Sequence, residues 1–165
     1  MKAATINELQ KELAEQPPKK LLEISVRLAK YKKENKELLT YLLFEAHDER
    51  VYIQKVKDET ELQFREMNQS NLYLAKKSLR KILRNINKFI RYSGSKETEI
   101  ELRIHYCSQL KRSGIPFAES QVLLNLYNNQ LKKIDSVISG LHEDLQYDYR
   151  LESGELKLSL EKKNG

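Results

Sequence analysis

The chain has 165 residues, of which 39% are hydrophobic and 33% are charged, and its net charge is +6. This length suits one domain with a hydrophobic core and is short for two. Five glycines and three prolines provide few turns, so we expect long elements and an all-α fold. The single cysteine, Cys107, excludes a disulfide within the chain and favours a reducing compartment.

The first residues and the longest apolar run indicate where in the cell the protein is expected. The start, MKAATINELQKEL, lacks the apolar segment of a signal peptide. The longest nearly apolar run, Leu38 to Phe44, is far shorter than the roughly 20 residues that cross a bilayer. We therefore expect a cytoplasmic protein without a membrane partner.

Two helices are predicted in the first part of the chain. Thr5 followed by Glu8 is a capping-box pattern, and this helix should end near Gln16, ahead of two prolines. Pro18 suits the first turn of a second helix, which runs to about Lys33. The apolar residues of the second helix spread around much of its circumference, which indicates burial on two sides.

A third and a fourth helix follow on either side of a polar stretch. Asn35 is predicted to cap the third helix, which is very apolar from Leu38 to Ala46. The sequence HDER then marks an interruption or an exposed turn. Apolar residues recur at helical spacing beyond it, as far as Met67, and this spacing predicts the fourth helix.

The remaining helices are bounded by caps, glycines and a proline. Ser70 or Asn71 starts a fifth helix, which Gly94 ends in the manner of a C′ glycine. Ser95 caps a sixth helix, which ends before Pro116. The last helix should run from near Pro116 to about residue 145. Its apolar residues alternate steps of three and four: Leu124, Tyr127, Leu131, Ile134, Ile138, Leu141 and Leu145.

The apolar pattern changes after residue 146. Apolar and polar residues alternate from Tyr147 to Leu151 and from Leu156 to Leu160, with a Ser-Gly turn signal between them. This period of two predicts a small β-hairpin or an extended tail over residues 147–165, and a frayed helical tail is the alternative. We expect a helical domain over residues 1–146, with six or seven helices in antiparallel pairs. The pairs can form a bundle or a short HEAT-like α-solenoid.

The fifth helix has apolar residues on one side and basic residues on the other. From Met67 to Lys96 there are eight basic residues and no acidic one, so the rest of the chain sums to −2. Like charges one turn apart destabilise a helix, which makes a purely basic face unusual. The candidate partner-binding residues on this face are Lys77, Arg80, Lys81, Arg84, Lys88 and Arg91.

The basic residues of the fifth helix have two competing explanations. Acids of neighbouring helices, such as Glu97, Glu99 and Glu101, can neutralise them inside the domain. An acidic protein surface or a nucleic acid can instead bind them from outside, because basic residues one turn apart are about 6 Å apart, close to the phosphate repeat. Tyr73 and Tyr92 are too few for a base-stacking platform.

Signals of catalysis are weak in this sequence. His47, His105 and His142 lack the spacing of a zinc motif, and the scattered glycines exclude a standard phosphate-binding loop. We therefore expect no cofactor and no metal. The leading hypothesis is a non-catalytic protein-interaction or scaffold module that binds an acidic partner through the basic helix. Nucleic-acid binding is the alternative, and a helical enzyme without a recognisable motif is the second alternative.

Self-association is a separate prediction. The apolar seam of the last helix spans about three heptads, which is enough to pair with another helix. An intrachain helix is the favoured partner for this seam. A homodimer through the last helix, or through the edges of the hairpin, is also predicted.

Overall fold

The structure, a computed structural model, describes the backbone of residues 1–161 and the side chains of residues 1–157. The described residues contain eight α-helices and no strand, which confirms the all-α class. The helices are α1 (Ile6–Ala14), α2 (Pro18–Tyr31), α3 (Lys33–Thr40), α4 (Glu49–Glu66), α5 (Leu72–Ser93), α6 (Lys96–Arg112), α7 (Gln121–Ile138) and α8 (Glu143–Glu161). A π-helical turn, Tyr41–Glu45, precedes α4, and a 3-10 turn, Phe117–Glu119, precedes α7.

Most predicted helix ends are confirmed by their capping geometry. Thr5 accepts a hydrogen bond from the Glu8 amide, and the Glu8 carboxylate accepts from the Thr5 amide at 2.7 Å. Ser95 caps α6 by accepting from the Thr98 amide. Gly94 ends α5 with φ of 67°, a left-handed conformation that glycine adopts at little cost.

The start of α3 differs from the prediction. Asn35 lies inside α3 and does not cap it, because the helix already begins at Lys33, directly after the extended residue Lys32. The Asn35 amide instead donates to the Leu28 carbonyl of α2 at 2.8 Å. Asp48, in the HDER stretch, caps α4 by accepting from the Val51 amide at 3.2 Å.

The chain forms two compact units, Met1–Phe44 and Glu45–Gly165. In the first unit α2 packs on α3, and Tyr41 is the single residue that is buried. The prediction that α2 is buried on two sides is therefore wrong. A unit of this length has too little interior to bury several amphipathic helices at once.

The second unit contains α4 to α8, and its consecutive helices are antiparallel. The Tyr52 hydroxyl near the start of α4 donates to the Phe89 carbonyl near the end of α5 at 2.8 Å. Lys96 at the start of α6 donates to the Gly140 carbonyl beyond the end of α7 at 3.0 Å. Helix α6 packs against α4, α5, α7 and α8, so it lies at the centre of this unit.

The predicted C-terminal hairpin or extended tail is wrong for residues 147–161, which belong to α8; residues 162–165 lie outside the described residues. The inward positions of α8 are Gln146, Tyr149, Ser153 and Leu156, at steps of three and four. These positions form a helical stripe that packs on α6 and α7. The sequence alternates between apolar and polar residues here because large apolar residues such as Leu151 also occupy exposed positions of this helix.

The apolar seam of the predicted last helix is divided between two helices. α7 ends at Ile138, two residues before Gly140, and α8 begins at Glu143. The described residues thus contain eight helices where six or seven were predicted, because the region of the predicted hairpin forms α8 after this break. Buried seam residues of α7 include Tyr127, Leu131 and Ile134, so packing inside the chain uses this seam.

Candidate partner-binding face

Helix α5 is continuous over 22 residues. Asn71 caps it by accepting a hydrogen bond from the Leu74 amide at 2.9 Å. Its apolar stripe packs against α4 and α6, and this stripe fixes which side of the helix remains exposed. The buried residues are Ala75, Leu79, Ile82, Ile86 and Ile90.

The six predicted basic residues share the other side of α5, which we call the basic face (Lys77, Arg80, Lys81, Arg84, Lys88 and Arg91). Five of them are exposed, and Lys88 is partly buried. The Lys88 ammonium lies 5.4 Å from the centroid of the Phe89 ring, a distance typical of a cation–π contact. The other five residues form no ion pair with any side chain that the structure describes.

The nearby acids contact other basic residues. A Glu101 oxygen lies 2.8 Å from the Lys57 ammonium of α4, and a Glu99 oxygen lies 2.7 Å from the Arg103 guanidinium. Among the described side chains, no ion pair joins Glu97 to the basic face either. Among the described side chains, the ion pairs of the second unit therefore leave the five exposed residues of the basic face uncompensated.

Arg103 connects the three helices that support the basic face. It is only 5% exposed, and its Nε and Nη2 atoms donate to Glu99 at 2.8 and 2.7 Å. Its Nη1 atom donates to Asn87 of α5 at 3.0 Å and to Gln130 of α7 at 2.7 Å. A buried guanidinium with this many partners holds α5, α6 and α7 in a fixed arrangement.

An open groove of about 460 Å³ runs between α5 and α7; we call it the α5–α7 groove. Its apolar lining comes from Leu83, Val122 and Leu126. Its charged lining comes from Arg80 of the basic face and from two exposed lysines of α7, Lys132 and Lys133. Asn125, Asn129 and Gln130 complete the lining.

The α7 residues of this groove were not predicted as site residues. Val122, Leu126, Asn129 and Lys133 follow one another at steps of four, three and four, on the side of α7 away from the apolar seam. This second stripe was visible in the sequence as a weak pattern. Its position beside Arg80 depends on how α5 and α7 pack against α6, and no local pattern carries that information.

A separate group of titratable residues joins α4, α6 and α8. The Tyr149 hydroxyl lies 3.5 Å from a Glu101 oxygen. Burial, with the charge of Glu101, raises the pKa of Tyr149 to about 12. Burial also raises the pKa of Glu152, against the opposing effect of Lys57. These contacts join α4, α6 and α8 to one another.

The environments of His105, His142 and Cys107 differ. The His105 Nε2 atom lies 3.6 Å from a Glu61 oxygen, whereas exposed His142 lies 3.4 Å from Asp144. Burial lowers the pKa of His105 and raises the pKa of Cys107 to about 12. Among the described residues, no three His, Cys, Asp or Glu side chains are grouped so that they could hold a metal ion.

The described helices also include none with the length and apolar composition that crossing a bilayer requires. Comparisons with protein-family models, with curated proteins and with solved structures found no match to this chain. Any functional conclusion therefore rests on the geometry and charge of the chain itself.

Proposed function

We propose that this chain is a non-catalytic protein-interaction module that binds an acidic partner through the basic face and the α5–α7 groove. The observation that carries this proposal is the lack of ion pairs, among the described side chains, for five exposed basic residues on one helix face. A face of one charge sign raises the local concentration of oppositely charged partners and accelerates their association.

The α5–α7 groove favours a protein partner over a nucleic acid. Leu83, Val122 and Leu126 offer an apolar surface, and basic residues lie beside it. An amphipathic helix with acidic flanks complements both features, as in other complexes in which a helix lies in a groove. A nucleic acid would use the charges but would gain little from the apolar lining.

A defined probe tests this proposal without knowledge of the natural partner. The probe is a fluorescent helical peptide with leucines along one stripe and glutamates beside it, and its binding is measured by fluorescence anisotropy. Changing the six residues of the basic face to glutamine should weaken binding about 30-fold or more. Six charges, five of them exposed and one partly buried, at roughly 0.3–0.5 kcal/mol each sum to about 2–3 kcal/mol.

A control variant removes the same number of charges from the first unit. The six residues changed to glutamine are exposed and form no ion pair with a described side chain: Lys2, Lys11, Lys19, Arg27, Lys30 and Lys36. This control should bind the probe nearly as well as the unchanged chain at physiological salt. Equal weakening in both variants would show a general charge effect and would contradict the proposal.

Nucleic-acid binding is the second candidate function. Lys77, Arg80, Arg84 and Lys88 follow one another about one helical turn apart, which is close to a phosphate repeat. Four phosphate contacts predict a log-log salt dependence with a slope of about −3 to −4. Tyr92 packs edge-on against Phe89, so it is poorly placed to stack on a base. If a 20-base-pair duplex binds more tightly than the peptide and shows this slope, the nucleic-acid function replaces the protein one.

A further inference from the structure

Helix α1 carries an apolar face that the first unit leaves exposed. Ile6, Leu9 and Leu13 fall within an arc of about 60°, and they are 79%, 46% and 40% exposed. No residue of α1 is buried. Exposed apolar faces of this kind on a folded chain mark interaction surfaces.

The charge of α1 is the opposite of the charge of the α5–α7 groove. Glu8, Glu12 and Glu15 outnumber Lys11 on this helix and its C-cap. Glu8 is engaged in the capping box, whereas Glu12 borders the apolar face beside Leu9. α1 is therefore an acidic amphipathic helix, which is the chemistry that the proposed function assigns to the partner.

The lengths of the helix and the groove also agree. The nine residues of α1 span about 14 Å at 1.5 Å per residue. The groove follows α7 from Val122 to Lys133, a distance of about 16 Å by the same rise. One face of α1 can thus cover the apolar lining without extending beyond the charged residues.

We propose that α1 of a second copy of this chain binds the α5–α7 groove, and that two copies exchange their α1 helices reciprocally. This inference rests on the proposed function, because it names the acidic partner of the same groove. A single chain exposes both the α1 face and the groove, so each copy offers both halves of the contact. Reciprocal exchange is isologous and closes at a dimer.

In the proposed contact, apolar residues of α1 meet apolar residues of the groove, and an acidic residue meets basic ones. Ile6, Leu9 and Leu13 of one copy pack on the apolar residues of the groove, Leu83, Val122 and Leu126, which belong to the other copy. The carboxylate of Glu12, which borders the apolar face, lies towards Arg80, Lys132 and Lys133. The apolar contact supplies most of the affinity, and the charges orient α1 and make the dimer sensitive to salt.

Sedimentation equilibrium of the full chain over a range of concentrations tests this inference. We expect a mass approaching about 39 kDa, twice the chain mass of 19.5 kDa. Leu9→Glu with Leu13→Glu should weaken dimerisation at least about tenfold, and so should Arg80→Glu with Lys133→Glu. Circular dichroism should show that the first pair leaves the fold intact, because no residue of α1 is buried.

Two further variants separate the specific contact from a general effect of charge. Asn7→Glu with Lys11→Gln adds the same negative charge to the opposite side of α1 and should leave the dimer intact. Glu12→Lys should weaken the dimer by itself. It should partly restore the dimer when combined with Arg80→Glu and Lys133→Glu, since the facing charges are then exchanged.

The outcomes that overturn this inference differ from those that overturn the proposed function. A mass near 19.5 kDa at every concentration refutes the exchange of α1, while binding of the acidic peptide probe would keep the proposed function. If the mass stays near 19.5 kDa and the acidic peptide probe also fails to bind, both proposals are refuted. A dimer that requires Leu9 and Leu13 but persists in the groove variant would place α1 on another surface. One such surface is the apolar pocket of the first unit near Leu28, Leu38 and Leu42, and that outcome also overturns the inference.

Discussion

The two units of this chain are both helical, but they use their apolar residues in different ways. In the first unit, Met1–Phe44, Tyr41 is the only buried residue, and exposed side chains include Leu22, Leu28 and Phe44. In the second unit α6 by itself contributes eight buried residues. The sequence of α1 or α2 is as amphipathic as that of many core helices. Burial therefore depends on whether other helices surround a given helix, and a unit as short as the first one cannot provide them.

The largest difference in unfolding free energy between the two units is expected from a matched pair of leucine substitutions. Leu110 of α6 is 0% exposed and Leu22 of α2 is 65% exposed. Leu110→Ala should lower the free energy of unfolding by about 2–5 kcal/mol, because it leaves a cavity in the core. Leu22→Ala should change it by less than about 0.5 kcal/mol. Urea denaturation followed by circular dichroism measures both, and similar losses would show that the first unit also has a core.

A smaller effect is expected from ion pairs that differ in burial. Arg103→Leu leaves Glu99, Asn87 and Gln130 without their common donor and should cost about 2–3 kcal/mol of unfolding free energy. Lys20→Gln removes an ion pair whose side chains are 54% and 57% exposed, so it should cost less than about 0.5 kcal/mol.

The matched control for Arg103 removes the charge that would be stranded. Adding Glu99→Gln to Arg103→Leu should recover part of the lost unfolding free energy, because no unpaired carboxylate then remains. If Arg103→Leu cost no more than Lys20→Gln in the same urea titration, Arg103 would not hold the three helices together.

Substitutions of two helix-capping residues should differ in whether they affect global unfolding or only local opening. Asn71→Ala removes the cap of α5 and should lower the global free energy of unfolding by about 1 kcal/mol. Thr5→Ala removes the cap of α1, which has no buried residue, so the global transition should be unchanged. Amide hydrogen exchange should instead show faster exchange confined to α1. A shift of the global midpoint by Thr5→Ala would mean that α1 is coupled to the core.

The smallest expected effect concerns pH and belongs to the second unit, since the first contains no histidine. Burial lowers the pKa of His105 below its ordinary value of 6.5, against the opposing charge of Glu61 and with those of Lys57 and Arg112. The unfolded chain therefore binds this proton more readily, and stability decreases as the pH falls below about 6.5. His105→Gln should lose less stability on this acidification than the unchanged chain, and an identical pH profile would contradict the assignment.

Local sequence signals located the helix ends well and the last element badly. Thr5, Gly94 and Ser95 were predicted correctly because caps depend on a few adjacent residues. The hairpin was predicted because Tyr147 to Leu151 alternates in polarity, whereas the inward stripe of α8 includes Ser153, which is 2% exposed. A buried serine does not register as apolar in a sequence pattern, so the helical period was hidden.

The candidate site was predictable in part. The basic face followed from the 3.6-residue period of α5, which places its residues opposite the apolar stripe. Whether neighbouring acids neutralise that face depends on tertiary packing, and the sequence left both alternatives open. Arg103 was missed because a single arginine among the charged residues of α6 gives no sign that Asn87 and Gln130 will surround it.

The buried thiol at the centre of the second unit makes the chain suited to selective chemical labelling. Cys107 is the only cysteine and is 0% exposed. Alkylating reagents need an accessible thiolate, so this thiol should react only when the second unit opens, and its rate of modification reports that opening. A cysteine introduced on the exposed basic face would react in the native state. A spectroscopic probe can therefore be attached there without first replacing the native cysteine.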